Sequence, residues 1–197
     1  MKNTHSQNKR RNFLKLSAST LFIPFILQAK ASKNNYGIRG KTAPELDISY
    51  WIDAQGKPST FKLANHKSKF IFMEFWQSWC PGCHAHGFPA LKKISDAFES
   101  NEYFTAIAIQ TTFEGYAANT PAKVREIQKQ YALNIIMGHD AGDQEIQQHP
   151  KTMVNYRSGG TPWAVLISPN GKVIYNDFSI DSESAIKYLK TEIKKLG

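Results

Sequence analysis

The chain of 197 residues has only two cysteines, and they stand two residues apart in the string Cys80-Pro81-Gly82-Cys83. Without a third cysteine, a framework of several structural disulfides is excluded. The one possible intramolecular disulfide, Cys80–Cys83, closes a loop of four residues. Because such a short loop restricts the unfolded chain little, this disulfide would add little to stability. We therefore interpret the pair as a reactive dithiol.

Acidic residues are absent from residues 1–31, and the apolar stretch there is shorter than the roughly 20 residues that a membrane span needs. Residues 9–15, KRRNFLK, resemble the twin-arginine export motif, and an A-x-A cleavage site ends at Ala31. We predict a twin-arginine signal peptide at residues 1–31, cleaved near Ala31, and a periplasmic location. The alternatives are a disordered tail or an uncleaved signal anchor.

The excess of positive charge comes mainly from this leader. The whole chain has 25 Lys and Arg against 16 Asp and Glu, a formal net charge of +9. Six of the basic residues lie in residues 1–31, which leaves 19 basic against 16 acidic residues and a net charge of +3. So small an excess, without a basic stripe interleaved with aromatics, gives no reason to predict nucleic-acid binding.

Residues 32–197 contain no repeat, low-complexity tract or interdomain linker and are predicted to form one domain. Short apolar runs bounded by turn residues predict strands at residues 46–52, 59–63, 70–76, 104–110, 134–137, 163–168 and 172–178. Helical spacing predicts helices at residues 84–100, 120–131 and 181–196, with further short helical segments at 144–148 and before Tyr156. The pattern indicates an α/β fold, a central mixed β-sheet flanked by helices, with an N-terminal strand extension.

The two cysteines lie where the predicted strand at residues 70–76 gives way to the helix at 84–100. Unpaired N–H groups and the dipole at a helix N-terminus stabilise a thiolate on the first cysteine. The position therefore predicts dithiol–disulfide chemistry. Two alternatives stay open at this point. The string Cys80-Pro81-Gly82-Cys83-His84 also fits the attachment pattern of c-type haem, and two thiols with a histidine suit Cu(I).

Several further segments match one family pattern. They are FWQSWCPGC at residues 75–83, Phe88-Pro89-Ala90-Leu91, Gly160-Thr161-Pro162, the predicted hairpin at residues 165–174, and Ala43-Pro44-Glu45-Leu46. Together they resemble the thioredoxin superfamily, most closely its exported TlpA/ResA-like thiol–disulfide oxidoreductases of the redoxin family. A CxxC alone is a weak signal, but a downstream Thr-Pro entering a strand makes it specific. The resemblance implies a thioredoxin fold over residues 32–197 and no cofactor.

The same resemblance implies separate roles for the two cysteines. Cys80 would attack a substrate disulfide as the thiolate, and Cys83 would resolve the mixed disulfide, which leaves the disulfide Cys80–Cys83. Pro162, with a cis bond before it, would place backbone groups against the substrate peptide. The other residues expected to face substrate are Trp79, Pro81 and Thr161.

Two acidic residues join the predicted site. Glu74 lies six residues before Cys80, where thioredoxins carry a buried acid, and it would move the proton of Cys83. The TlpA-like branch often lacks this acid, and the alternative for Glu74 is a carboxylate that reaches solvent. Glu114 loosely matches the loop in which ResA-like proteins place an active-site glutamate. Its alternative is an ordinary solvated loop charge.

The haem alternative uses His84 as the proximal ligand and needs a distal one, for which the candidates are Met137, His139, His149 and Met153. A buried strand before the motif, and an export signal suited to proteins folded before export, argue against it. The copper alternative resembles the Sco-like metallochaperones, whose cysteines are spaced CxxxC, and would add His86 or His139. We predict neither a metal site nor a cofactor.

The resemblance finally implies a monomeric protein-disulfide reductase. Its substrates would be exported proteins with disulfides, apocytochrome c among them, and its electrons would come from a membrane donor of the DsbD/CcdA type. The direction of electron flow stays open, because it depends on the reduction potential of the pair. No nucleic-acid partner is predicted.

Overall fold

The computed structural model describes residues 36–197 of the chain. The predicted signal peptide at residues 1–31 lies outside the described residues. Within residues 36–197, no helix is both long enough and apolar enough to cross a membrane.

A mixed sheet of seven strands forms the centre of the described part of the chain. The strands are β1 (Tyr50–Ile52), β2 (Pro58–Ser59), β3 (Phe70–Trp76), β4 (Phe104–Thr112), β5 (Ile136–Ala141), β6 (Trp163–Ile167) and β7 (Val173–Asp177). They lie in the order β2-β1-β5-β4-β3-β6-β7, in which β3, β4 and β5 are parallel and the other neighbours are antiparallel. The mixed sheet and its N-terminal extension, the β1–β2 pair beside β5, confirm the sequence prediction.

The α-helices of residues 36–197 are α1 (Phe88–Ala97), α2 (Pro121–Gln130), α3 (Lys151–Tyr156) and α4 (Ser182–Ile193). Proline stands in the first turn of α2, where its missing N–H costs no hydrogen bond. The Asp181 carboxylate caps α4 by accepting the Ser184 N–H at 2.8 Å. A π-helical segment, Cys83–Gly87, leads directly into α1.

The prediction of a strand at residues 59–63 is wrong. Only Pro58–Ser59 pairs with β1, and Leu63–His66 forms a 3₁₀ turn instead. The carboxylate of Glu45 accounts for the difference, because it accepts the Leu63 N–H at 2.8 Å and so satisfies a donor at the start of this turn. The Leu63 N–H is therefore bonded to the side chain of Glu45, 18 residues earlier, and is not available for pairing with a strand.

Residues 144–148, which the sequence predicts to be helical, form turns. The Asp143 carboxylate accepts the N–H groups of Glu145 and Ile146 at 2.9 and 3.3 Å. Asp143 and Gln148 also exchange backbone hydrogen bonds, at 2.7 and 2.9 Å. These local bonds offer the backbone an alternative to a helix.

Strand β3 lies between two apolar clusters, and all seven of its residues are buried. Side chains alternate between the faces of a strand, so Phe72 and Trp76 pack with the residues of α1 and α4, and Phe75 packs with Tyr156. Glu74 is the one charged residue of β3, and alternation directs it to the face of Phe72 and Trp76. That face is the one that the CxxC segment covers.

The close packing of β1 on β5 can be tested at Gly138. A Cβ at this position would lie 2.7 Å from ring atoms of Trp51, so we expect Gly138→Ala to lower the free energy of unfolding by about 2 kcal/mol. Gly171→Ala is the control, since nothing lies within 4 Å of a Cβ there and only its φ of 77° opposes the change, at about 1 kcal/mol. Urea unfolding compares the two; equal costs would contradict this packing.

Candidate active site

Cys80 lies in the turn after β3, directly before the helical backbone begins at Pro81. Its Sγ accepts the backbone N–H of Cys83 at 3.3 Å, and its thiol donates to the Thr161 carbonyl at 3.4 Å. Both cysteines are free thiols in this structure. The sulfur of Cys80 thus faces a backbone donor of the first helical turn, an environment that favours negative charge.

The two sulfur atoms differ in their access to solvent. Cys80 keeps 6% of its surface exposed, whereas Cys83 is fully buried. Burial, and then the hydrogen bond with Cys80, raise the pKa of the Cys83 thiol well above its usual value. Cys83 therefore holds its proton at neutral pH, and Cys80 is the sulfur that an incoming disulfide can reach.

The Thr161–Pro162 peptide bond is cis, as the resemblance implies. Pro162 packs against the segment that carries the cysteines. A Cβ at position 82 would lie 3.1 Å from Pro162 Cδ, and a Cβ at position 87 would lie 3.0 Å from Pro162 Cβ. Gly82 and Gly87 therefore allow the proline loop and the CxxC segment to form one continuous surface.

Glu74 is buried, with 2% of its surface exposed. Its carboxyl lies against Gly87, where a Cβ would come within 2.7 Å of Glu74 Oε1. Burial raises the pKa of Glu74 to about 8, with no hydrogen-bond partner for the carboxyl among residues 36–197. The alternative of a carboxylate that reaches solvent is therefore wrong. The structure places the acid against the helical segment of Cys83.

The helical segment after the CxxC has an irregularity that the sequence only partly indicates. The Phe88 N–H bonds to the Cys83 carbonyl, five residues back, which defines the π-helical turn Cys83–Gly87. Pro89 follows and has no N–H to continue a regular α-helical pattern. The sequence analysis missed the contact of Gly87 with Glu74 and Pro162. The one signal for this contact in the sequence is Gly87 itself, a glycine four residues after Cys83.

The predicted substrate-facing residues differ in placement. Trp79 and Pro81 are exposed beside Cys80, and Trp79 has 46% of its surface open. Its indole packs on Gly115, where a Cβ would lie 2.6 Å from Nε1. Glu114, in the same loop, also has an exposed side chain, which makes no hydrogen bond within residues 36–197. The backbone carbonyl of Glu114 therefore approaches the turn by accepting from Gln77 Nε2 at 3.5 Å, and its side chain is exposed.

His84 is occupied by structural hydrogen bonds. Its Nε2 donates to the Ser78 carbonyl at 2.7 Å, so its Nδ1 accepts from the Tyr131 hydroxyl at 2.6 Å. Both ring nitrogens that could bind a haem iron are therefore engaged in holding the turn before Cys80. This arrangement weakens the haem alternative.

The histidines proposed for copper lie apart from each other. His139 is on β5, where its Nδ1 donates to Gln110 Oε1 at 2.7 Å, and His86 is exposed on the π-helical turn. Within residues 36–197, no three His, Cys, Asp or Glu side chains gather as they would around a metal ion. Of the copper alternative's ligands, the structure brings together only the two cysteines.

A cluster of buried amides beside the turn was missed by the sequence analysis. It consists of Gln77, Gln110 and Asn119, which are between 0% and 3% exposed. Gln77 follows β3 and Gln110 lies near the end of β4, and polar groups at the carboxyl ends of parallel strands often belong to a site. That position was the available signal for the two glutamines, whereas nothing in the sequence marks Asn119.

Comparison with known proteins settles the family. Residues 38–192 match the family model described as Redoxin. The chain belongs to the Redoxin family. It is 23% identical over 176 residues to the thiol-disulfide oxidoreductase ResA of Oceanobacillus iheyensis, a match that covers 86% of this chain and 83% of that protein.

Solved structures agree with this assignment. A thioredoxin-like superfamily protein is 31% identical with a TM-score of 0.66, and the match covers 79% of this chain and 95% of that one. A thiol-disulfide isomerase from Corynebacterium glutamicum is 25% identical with a TM-score of 0.65, covering 76% and 95%. These matches confirm the predicted thioredoxin fold and the resemblance to the TlpA/ResA-like branch.

The burial of Glu74 predicts a dependence of stability on pH. An acid whose pKa rises on folding, here from 4.5 to about 8, binds more protons when folded, so its stabilising effect falls as pH rises through this interval. We expect the free energy of unfolding of the wild type, relative to Glu74→Gln, to decrease from pH 5 to 8 by at most about 1.4 kcal/mol per pH unit. Urea unfolding with both proteins reduced measures it. Parallel pH curves would contradict the buried acid.

Proposed function

We propose that this chain is an exported thiol–disulfide oxidoreductase that reduces protein disulfides with Cys80 and Cys83. One observation carries the proposal: two free thiols of unequal burial lie against a cis-proline loop, with Thr161 in contact with the outer sulfur. The Redoxin match and the names of the similar proteins support the reaction class.

The first step is an attack by Cys80. Its thiolate forms a bond with one sulfur of the substrate disulfide, the substrate S–S bond breaks, and the electron pair leaves on the other substrate sulfur, which takes a proton. The backbone N–H of Cys83, 3.3 Å from Cys80 Sγ, stabilises the thiolate before attack. The product is a mixed disulfide between Cys80 and the substrate.

The second step is resolution by Cys83. Its thiol must lose a proton, after which the sulfur attacks Cys80 Sγ, the intramolecular disulfide forms, and the second substrate thiolate leaves. Burial keeps Cys83 protonated until that moment. The ionised form of Glu74, which lies against the same helical segment and has a pKa of about 8, is the proposed base that takes this proton.

The substrate chain would lie across the surface formed by Trp79, Pro81 and the Thr161–Pro162 loop. Thr161 offers a backbone carbonyl next to Cys80, and the exposed indole of Trp79 offers apolar area on the other side. Glu114 would stand at the edge of this surface. These placements suit an extended peptide carrying a disulfide.

The remaining parts of the proposal concern the setting. The export motif at residues 1–31 supports a periplasmic location and folding before export, and we propose that the protein acts as a monomer. Substrates would be exported proteins with disulfides, including apocytochrome c, and electrons would come from a membrane donor of the DsbD/CcdA type.

Equilibration with glutathione tests the direction of electron flow. A reduction potential near that of thioredoxin, about −270 mV, supports a reductase, and one near about −120 mV supports an oxidant. A Soret band in the same sample would overturn the dithiol proposal.

The two cysteine roles predict different phenotypes. Cys80→Ser removes the attacking sulfur, so we expect it to abolish the reduction of insulin by dithiothreitol. Cys83→Ser leaves attack intact but removes resolution, so a mixed disulfide with substrate should accumulate and appear in non-reducing mass spectrometry. A Cys80→Ser variant that still reduces insulin at the wild-type rate would refute the assignment.

The role of Glu74 predicts a selective loss in the second step. We expect Glu74→Gln to slow release of the second substrate thiol at pH 7 at least about tenfold, since general-base catalysis typically contributes more than that. The first step, measured by stopped-flow reaction with a small aromatic disulfide, should stay within about threefold, because that attack uses Cys80 alone. An unchanged release rate would remove the proposed base.

A further inference from the structure

Asn119 joins three segments around the turn that precedes Cys80. It is 3% exposed and stands between the loop after β4 and the start of α2. Its Oδ1 accepts the backbone N–H of Ser78 at 2.7 Å and Gln110 Nε2 at 3.3 Å. The Ser78 hydroxyl also donates to the carbonyl of Ala118, at 2.6 Å. The turn is therefore bonded to the end of this loop at two points.

The other end of the Asn119 amide holds the loop that supports Trp79. Its Nδ2 donates to the carbonyls of Glu114 and Gly115, both at 3.1 Å. Gly115 has a φ of 59°, and the indole of Trp79 packs so closely on it that a Cβ there would lie 2.6 Å from Nε1. One side chain thus fixes both Ser78 and the surface beneath Trp79.

Ser78 is also held through its backbone carbonyl. Its carbonyl accepts from His84 Nε2 at 2.7 Å, and the Tyr131 hydroxyl donates to His84 Nδ1 at 2.6 Å. Both backbone polar groups of Ser78 are thus engaged by side chains from separate segments. The Cys80 N–H donates to the Gln77 carbonyl at 3.3 Å, so the residues on either side of Trp79 belong to one bonded turn.

We propose that Asn119 is a positioning residue for the thiol–disulfide reaction. Its amide orients Ser78 and the loop under Trp79, and thereby fixes Cys80 relative to the Thr161–Pro162 loop on which substrate lies. An amide is needed because its oxygen accepts hydrogen bonds from Ser78 and Gln110 while its nitrogen donates two. This inference rests on the proposed role of Cys80 as the attacking sulfur.

The test separates kcat from KM in the reduction of insulin by dithiothreitol. We expect Asn119→Ala and Asn119→Asp each to lower kcat about tenfold with KM within about twofold, because misplacing a reacting group by about 1 Å costs rate rather than binding. Asn119→Asp is the near-isosteric variant: it keeps the acceptor for Ser78 but turns an oxygen towards two carbonyls. Ser78→Ala should stay within about threefold, since it keeps the backbone N–H that Asn119 accepts.

Asn134→Ala is the matched control, because Asn134 is an exposed asparagine next to the start of β5, at the far end of the parallel strands from Cys80. It should leave kcat unchanged. A folded Asn119→Asp with wild-type kcat, or Asn119 variants that lose only thermal stability, would overturn the inference. If Cys80→Ser keeps the wild-type rate, the proposed function fails instead. If Cys80→Ser is inactive and the Asn119 variants keep the wild-type kcat, the inference about Asn119 is refuted and the proposed function stands.

Discussion

The packing of Pro162 on two glycines is the contact on which the site depends. Gly82, between the cysteines, and Gly87, at the end of the π-helical turn, let the proline ring come within van der Waals distance of the helical backbone. This approach brings the carbonyl of Thr161 to 3.4 Å from Cys80 Sγ. A side chain at either glycine would push the Thr161–Pro162 loop away from the helical backbone. The loop would then no longer pack beside the Cys80 thiol.

The same close packing determines the electrostatics behind the thiol. Glu74 lies against Gly87, on which Pro162 also packs, and Cys83 is fully buried, so burial raises the pKa of both groups. At neutral pH the interior behind Cys80 therefore holds two protonated acids and little charge, which avoids the cost of burying an unpaired anion. Resolution requires the Cys83 thiol to lose its proton. Only the ionised form of Glu74, the minor form at pH 7 when the pKa is about 8, can receive this proton, and it is a stronger base than a solvated carboxylate.

Sequence reasoning succeeded where the determining forces are local. The apolar run at residues 70–76 predicted β3 with its observed bounds, and the cis bond before Pro162 was implied by the family resemblance. It failed where a distant group decides. Glu45 takes a backbone donor from residues 59–63, and Asn119 bonds to Ser78 across 41 positions. Neither partner is marked by periodicity or by a motif, because a buried amide or a remote cap becomes recognisable only once the chain has folded.

The two sides of Cys80 are held by different kinds of force. On the side of Pro162, contact is non-directional packing on glycine, and on the side of Ser78 it is a set of directional hydrogen bonds through Asn119 and His84. Once Cys80 is a thiolate, and later in a disulfide, its sulfur has no proton to donate, so its bond to the Thr161 carbonyl is lost and that acceptor becomes available to a peptide. The bonds to Ser78 involve neither sulfur. The turn can therefore keep its geometry through both steps while the proline loop changes partners.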